Sequence, residues 1–168
     1  MNKKLIMILF VAVTGKIIAQ SEKYQTVEET VNKMLEIISV EVGEEPNWTE
    51  YRNLFLPTAQ KILLNPKAKN PANRVRSFSV EEFIRYIGPL YGRDGFNEKV
   101  LGVTIDEFNG VANVFQSYHA KNLKGTYDKK GINSYQLVWI NNRWWIASTT
   151  WATETEESKI PEKYLNKQ

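Results

Sequence analysis

Apolar residues recur along this chain at two spacings, first every three or four residues and later every second residue, with the change near residue 100. Val27, Val31, Met34, Leu35, Ile38 and Val42 keep the first spacing and predict an amphipathic helix over 27–42. Thr26 and Glu29 form a capping box at its start, and Gly43 and Pro46 stop it. A second helix is expected over 48–56, capped by Asn47, ended by Pro57, with Trp48, Tyr51, Leu54 and Phe55 on its apolar side. Gln60 to Leu64 suits a brief strand. Asn65 to Asn73 suits a loop, because the residue before each proline disfavours helix. The capping box Ser79 to Glu82 opens a third helix, expected to break at Gly88-Pro89.

From Val100 the period is two. Asn109-Gly110 is a strong hairpin signal, since a type I′ turn needs two residues tolerant of positive φ, and Asn141-Asn142 suits a second such turn. Strands are therefore expected over 100–108, 111–121, 132–140 and 143–153, paired in order as an antiparallel meander. Two-residue turns set Asp106 opposite Asn113, Thr104 opposite Phe115, Trp139 opposite Trp144 and Leu137 opposite Ile146. Closing the middle connection, Lys121 to Lys130, symmetrically sets His119 opposite Asn133 and Ser117 opposite Tyr135. Alternation then gathers Asp106, Phe115, Ser117, His119, Asn133, Tyr135 and Trp144 on one face. Neither face is simply polar, so both are expected to be covered, the second by a partner subunit or a tail. No repeat or linker interrupts the chain, and one α+β domain of three N-terminal helices packed on an antiparallel sheet is expected.

The first residues follow another logic. Lys3 and Lys4 precede the unbroken apolar run Leu5 to Val13, too short to span a bilayer, and Thr14 to Ala19 ends in a small residue. This order predicts a signal peptide over 1–19, a mature domain over 20–168 and export to the periplasm or the medium, with cleavage after Gly15 the alternative. No stable membrane insertion is expected once the signal is removed. The 168 residues carry 22 basic and 19 acidic side chains; removing Lys3, Lys4 and Lys16 from the 22 leaves 19 against 19. A neutral mature chain lacks the basic field of a nucleic-acid-binding domain. Without cysteine and with a single histidine it offers no thiolate nucleophile and no multi-histidine zinc site, so neither metal nor cofactor is expected.

Gly95-Phe96-Asn97-Glu98, Gly110 to Phe115, Tyr118-His119, Gly131 to Val138, Arg143-Trp144-Trp145-Ile146 and Ile160 to Leu165 together resemble the nuclear transport factor 2-like superfamily, including its ketosteroid isomerase-like and SnoaL-like (polyketide cyclase-like) members, and in particular small exported bacterial ones. The resemblance implies a cone-shaped fold of helices on a curved sheet, and a homodimer. It implies no particular activity, because the scaffold hosts enzymes and binding proteins alike. Relatives often have an aromatic residue where Asn97 stands and an acid where His119 stands, and no residue here matches the isomerases' catalytic set. In that superfamily the Trp-x-Ile of the last strand faces the helices, which would make the His119 face the pocket wall.

Two functions follow. One is a binding domain for a small, mostly apolar molecule, its pocket lined by Phe115, Ser117, His119, Asn133, Tyr135 and Trp144. The other is an isomerase, hydratase or cyclase with His119 as proton carrier, aided by Asn133 and Asp106. A structural histidine and solvated acids at a hairpin are the plainer readings of the same residues.

Overall fold

The computed structural model describes residues 23–165; the expected signal peptide lies outside them. Among the described residues no helix is long and apolar enough to cross a membrane. The elements are α1 (Val27–Ile38), α2 (Trp48–Arg52), β1 (Phe55–Leu64), β2 (Val75–Ser79), α3 (Val80–Asp94), β3 (Asn97–Phe108), β4 (Val111–Lys121), β5 (Asp128–Ile140) and β6 (Arg143–Thr153). One-turn 3-10 helices occupy Pro71–Asn73 and Glu162–Tyr164.

Thr26 caps α1 by accepting from the Glu29 amide at 3.1 Å, while the Glu29 carboxylate accepts from the amides of Tyr24 and Gln25. The helix ends four residues earlier than its apolar spacing predicts. Val40 leaves it to exchange backbone hydrogen bonds with Phe96 at 2.8 and 2.9 Å, and the helix end is thereby tied to the start of β3. The second helix is also shorter than expected, because Phe55 already belongs to a strand. Pro57 lies inside β1, where the β1–β6 register breaks between Phe55 and Gln60 and a missing amide is tolerated. Helix α3 opens with a complete capping box and runs through Gly88-Pro89 to Asp94. Gly88 is a packing position rather than a stop: a methyl group there would come within 2.8 Å of the Trp48 ring.

The strands form one six-stranded sheet in the order β2-β1-β6-β5-β4-β3. All pairs are antiparallel except β1–β6, so the sheet is mixed rather than a four-stranded antiparallel meander, and β1 and β2 separate α3 from the first two helices. Both hairpin turns form as expected, with positive φ at Asn109, Gly110, Asn141 and Asn142. Their registers hold too: Asp106 pairs with Asn113, Thr104 with Phe115, and Trp139 with Trp144.

The middle register differs. Asn133 pairs with Gln116, not His119, and Ser117 pairs with Ile132, not Tyr135. The cause is the loop between β4 and β5. The Asn122 side chain accepts from the amides of Thr126 and Tyr127 at 2.9 and 3.0 Å and donates to the Thr126 hydroxyl at 2.7 Å. This tight closure lets β5 begin at Asp128, opposite Lys121. The slip of three positions is odd, so it exchanges the faces of β4 relative to β5. Val114, Gln116, Tyr118 and Ala120 join Asn133, Tyr135 and Leu137 on the buried, helix-covered side, together with Trp144 and Ile146 of β6.

On the other side of the sheet the C-terminal segment lies across β3 and β4. The Tyr164 ring stacks on Phe115 at 5.3 Å, and the Ser117 hydroxyl donates to the Tyr164 carbonyl. Gly102 makes room for this backbone, since a methyl group there would overlap the Tyr164 carbonyl. Alanine at a strand glycine ordinarily helps slightly. Gly102→Ala is instead expected to destabilise by about 1–3 kcal/mol in urea unfolding, the usual cost of overpacking. The same substitution in a chain ending at Ile160 should lose that penalty; an equal cost in both backgrounds would show that Tyr164 is not what Gly102 accommodates.

Candidate functional site

A cleft of about 1170 Å³ opens between α1, α3 and the buried face of the sheet. Alternation along β1 turns Lys61 and Leu63 toward it, and Thr149 and Trp151 stand beside them on β6. Its chemistry centres on Lys61, a lysine only 2 % exposed. The Lys61 Nζ lies 4.6 Å from the centre of the Phe83 ring, 4.8 Å from Phe55, 5.6 Å from Tyr51 and 5.7 Å from Trp151. Its nearest polar contact is the Met34 Sδ at 3.9 Å. Among the described residues no carboxylate lies within ion-pair distance of it. Desolvation pushes its amine down to about 7, partly opposed by the field of Glu98.

Glu98 reaches the same cleft from β3 and accepts from the Asn133 Nδ2 at 2.8 Å. Burial pushes its carboxyl up to about 7, against the Asn133 hydrogen bond and the Lys61 charge. Desolvation also holds the phenols of Tyr51, Tyr91 and Tyr118 well above their ordinary range, and that of Tyr127 up to about 12. Two buried hydroxyls, Tyr51 Oη and Thr149 Oγ1, have no hydrogen-bond partner among the described residues. Tyr135, by contrast, donates to Gln116 at 3.0 Å, and Gln116 donates to Asn32 of α1 at 2.8 Å, pinning that helix to the sheet.

Of the residues singled out from sequence, Asn133 lines the cleft. Tyr135 and Trp144 are buried on the same side of the sheet, within the core. Phe115, Ser117 and His119 lie on the opposite side, the first two beneath the C-terminal segment. His119 places Nε2 2.7 Å from the Asp128 carboxylate, a partly exposed pair on that outer face. Asp106 is exposed beside the first hairpin turn and opposite Asn113. The expectation that Trp144 and Ile146 face the helices holds, but the odd slip between β4 and β5 separates them from His119. Lys61, Glu98, Tyr51 and Thr149 were not named as site residues from sequence. The available signal was Lys61 between Ala59 and Leu63, the apolar residues on its own side of the strand.

Two opposite pH effects follow. Between pH 4.5 and about 7 the folded chain holds a proton at Glu98 that the unfolded chain has released, so this group makes stability fall as pH rises. Between about 7 and 10.5 the unfolded chain holds a proton at Lys61 that the folded chain lacks, so this group makes stability rise. In thermal unfolding across pH, Glu98→Gln should flatten the fall and Lys61→Met the rise. A Lys61→Met profile parallel to the parent's above neutrality would mean that the amine ionises as freely folded as unfolded.

No protein-family model matches the chain, and no curated protein matches it in sequence. Solved structures do match in shape. A nuclear transport factor 2-like superfamily protein from Salmonella enterica superposes with a TM-score of 0.58 at 17% identity, covering 81% of this chain and 93% of that one. A provisionally assigned scytalone dehydratase from Novosphingobium aromaticivorans gives 0.57 at 14% identity, covering 84% and 89%. Nuclear transport factor 2 from Cryptosporidium parvum gives 0.55 at 11% identity, covering 76% and 90%. At such identities a likeness establishes architecture alone. With its helices, its open six-stranded mixed sheet and these neighbours, the chain has the α+β fold of the nuclear transport factor 2-like superfamily.

Proposed function

We propose that residues 20–168 form an exported domain, periplasmic or secreted, that binds a small, mostly apolar molecule in the cleft between its helices and its sheet. One observation carries this reading: about 1170 Å³ beside the core is left open although its walls include Phe83, Tyr91, Phe96 and Trp151. A handful of polar groups among them, Lys61, Glu98 and Asn133, would orient the guest. The export half of the proposal rests on the charge-then-apolar order of the first 19 residues. A chain neutral after signal removal has no basic surface field to draw nucleic acid. The catalytic alternative through His119 draws no support from this geometry, because the ring pairs with Asp128 on the opposite face of the sheet.

Native mass spectrometry of residues 20–168, sprayed gently and then after denaturation, tests the binding reading. The expected result is an added mass that denaturation removes. A bare mass, together with no thermal shift from any compound of a broad apolar library, would overturn it.

The proposal includes a homodimer. Phe108 is 79 % exposed at the first hairpin turn, and Val111, Trp139 and Ile140 stand exposed beside it. A second copy covering this patch would remove a contiguous apolar surface from water. Sedimentation should show a dimer for the parent and a monomer for the Phe108→Asp, Ile140→Asp double variant. A parent that is monomeric at micromolar concentration would refute the dimer.

A further inference from the structure

Three buried polar side chains in the wall of the cleft lack the partner their chemistry asks for. Lys61, Tyr51 and Thr149 are each at least 98 % removed from solvent, and among the described residues Lys61 Nζ, Tyr51 Oη and Thr149 Oγ1 have no oxygen or nitrogen partner. They belong together in the fold. Lys61 and Thr149 are register partners on adjacent strands, and Tyr51 closes over them from α2, its ring centre 5.6 Å from the Lys61 Nζ. Orphaned donors at this depth are costly unless something accepts from them.

We propose that this end of the cleft is a carboxylate-binding subsite built from Lys61, Tyr51 and Thr149, so that the small molecule it takes is an acid with a flat, mostly apolar body. The inference rests on the binding function proposed above and names its ligand class. A neutral carbonyl would satisfy hydroxyl donors but would leave an ammonium unpaired among four aromatic rings, whereas a carboxylate supplies both the acceptors and the countercharge. The protein's own carboxylates do not fill that role. Glu98 is held by Asn133 and makes no ion pair with Lys61, and Asp94 at the rim is paired with Arg93 and Lys124. The rings of Phe83 and Trp151, set edge to face at 6.0 Å beside Lys61, offer flat apolar surface to the rest of the molecule. Glu98 places an acidic group of the protein in the same cleft, which disfavours a second negative charge on the ligand.

The test uses 2-naphthoate and its neutral counterpart 2-naphthamide, followed by tryptophan fluorescence and calorimetry at mildly acidic pH. The parent should bind the acid about tenfold or more tightly than the amide, the size expected of a buried charge-assisted contact. Lys61→Met should abolish that preference by weakening the acid far more than the amide. Thr149→Val, which removes only a hydroxyl, should cost the acid more than the amide, because a hydrogen bond to a carboxylate is charge-assisted, and it serves if Lys61→Met does not fold. Equal affinity of the parent for both compounds, or a preference that survives the variants, would overturn the subsite while leaving the binding function standing. Failure of the parent to bind either compound would overturn the subsite as a site for flat aromatic acids, whereas the binding function falls only with a bare native mass and an empty library screen.

Discussion

The pairing of β4 with β5 decides what this fold can enclose, because in a sheet every second side chain faces the same way and an odd slip inverts one strand against its neighbour. Asn122 sets that pairing. Its three side-chain hydrogen bonds draw Thr126 and Tyr127 back onto the end of β4, so that β5 starts opposite Lys121. Gln116 and Tyr118 thereby turn inward with Tyr135 and Asn133. Gln116 can then bridge Tyr135 to Asn32 of α1, a chain of hydrogen bonds that fixes the helix over the sheet. The opposite slip would bury His119 and expose Tyr118, and the Gln116 bridge could not form.

Joining β1 to β6 in parallel extends the buried face by one more strand and brings Lys61 into it. A buried amine is costly, and four aromatic rings offset only part of that cost through the attraction between a cation and π-electrons. Phe83 of α3 is central here, since it packs against Tyr51, Phe78, Tyr91 and Trp151 as well as against the lysine. The same side chain that docks α3 therefore shapes the surroundings of Lys61. Glu98 is pushed toward its neutral form by the same desolvation, and its field acts on the amine without an ion pair between them.

Much of the fold was legible in the sequence because it rests on local chemistry. The capping residues Thr26, Asn47 and Ser79 each accept the expected amide, and both two-residue turns set their hairpins correctly. What was not legible depends on contacts distant in sequence. Val40 leaves its helix for Phe96, β1 pairs with a strand more than eighty residues away, and the exit of the middle loop depends on one asparagine side chain. The expectation that the candidate residues share one face failed for the last of these reasons alone. Correct hairpins on either side were joined with an odd error, which put Phe115, Ser117 and His119 on the outer face while Asn133, Tyr135 and Trp144 lie on the helix-covered one.

The outer face shows why its residues resembled a site. Ser117 and Phe115 are a small polar and a flat aromatic group, which suit a ligand, but here they receive the backbone and ring of Tyr164. Intramolecular docking of a terminal segment and binding of a small molecule ask for the same side chains, so residue type cannot separate them. Burial without a partner can. His119 has the more familiar chemistry and a hydrogen-bonded carboxylate partner at the surface, whereas Lys61 acquires unusual chemistry only by being enclosed. For a proposal about the interior of this fold, the unpaired donor is the more informative group than the residue with the most reactive side chain.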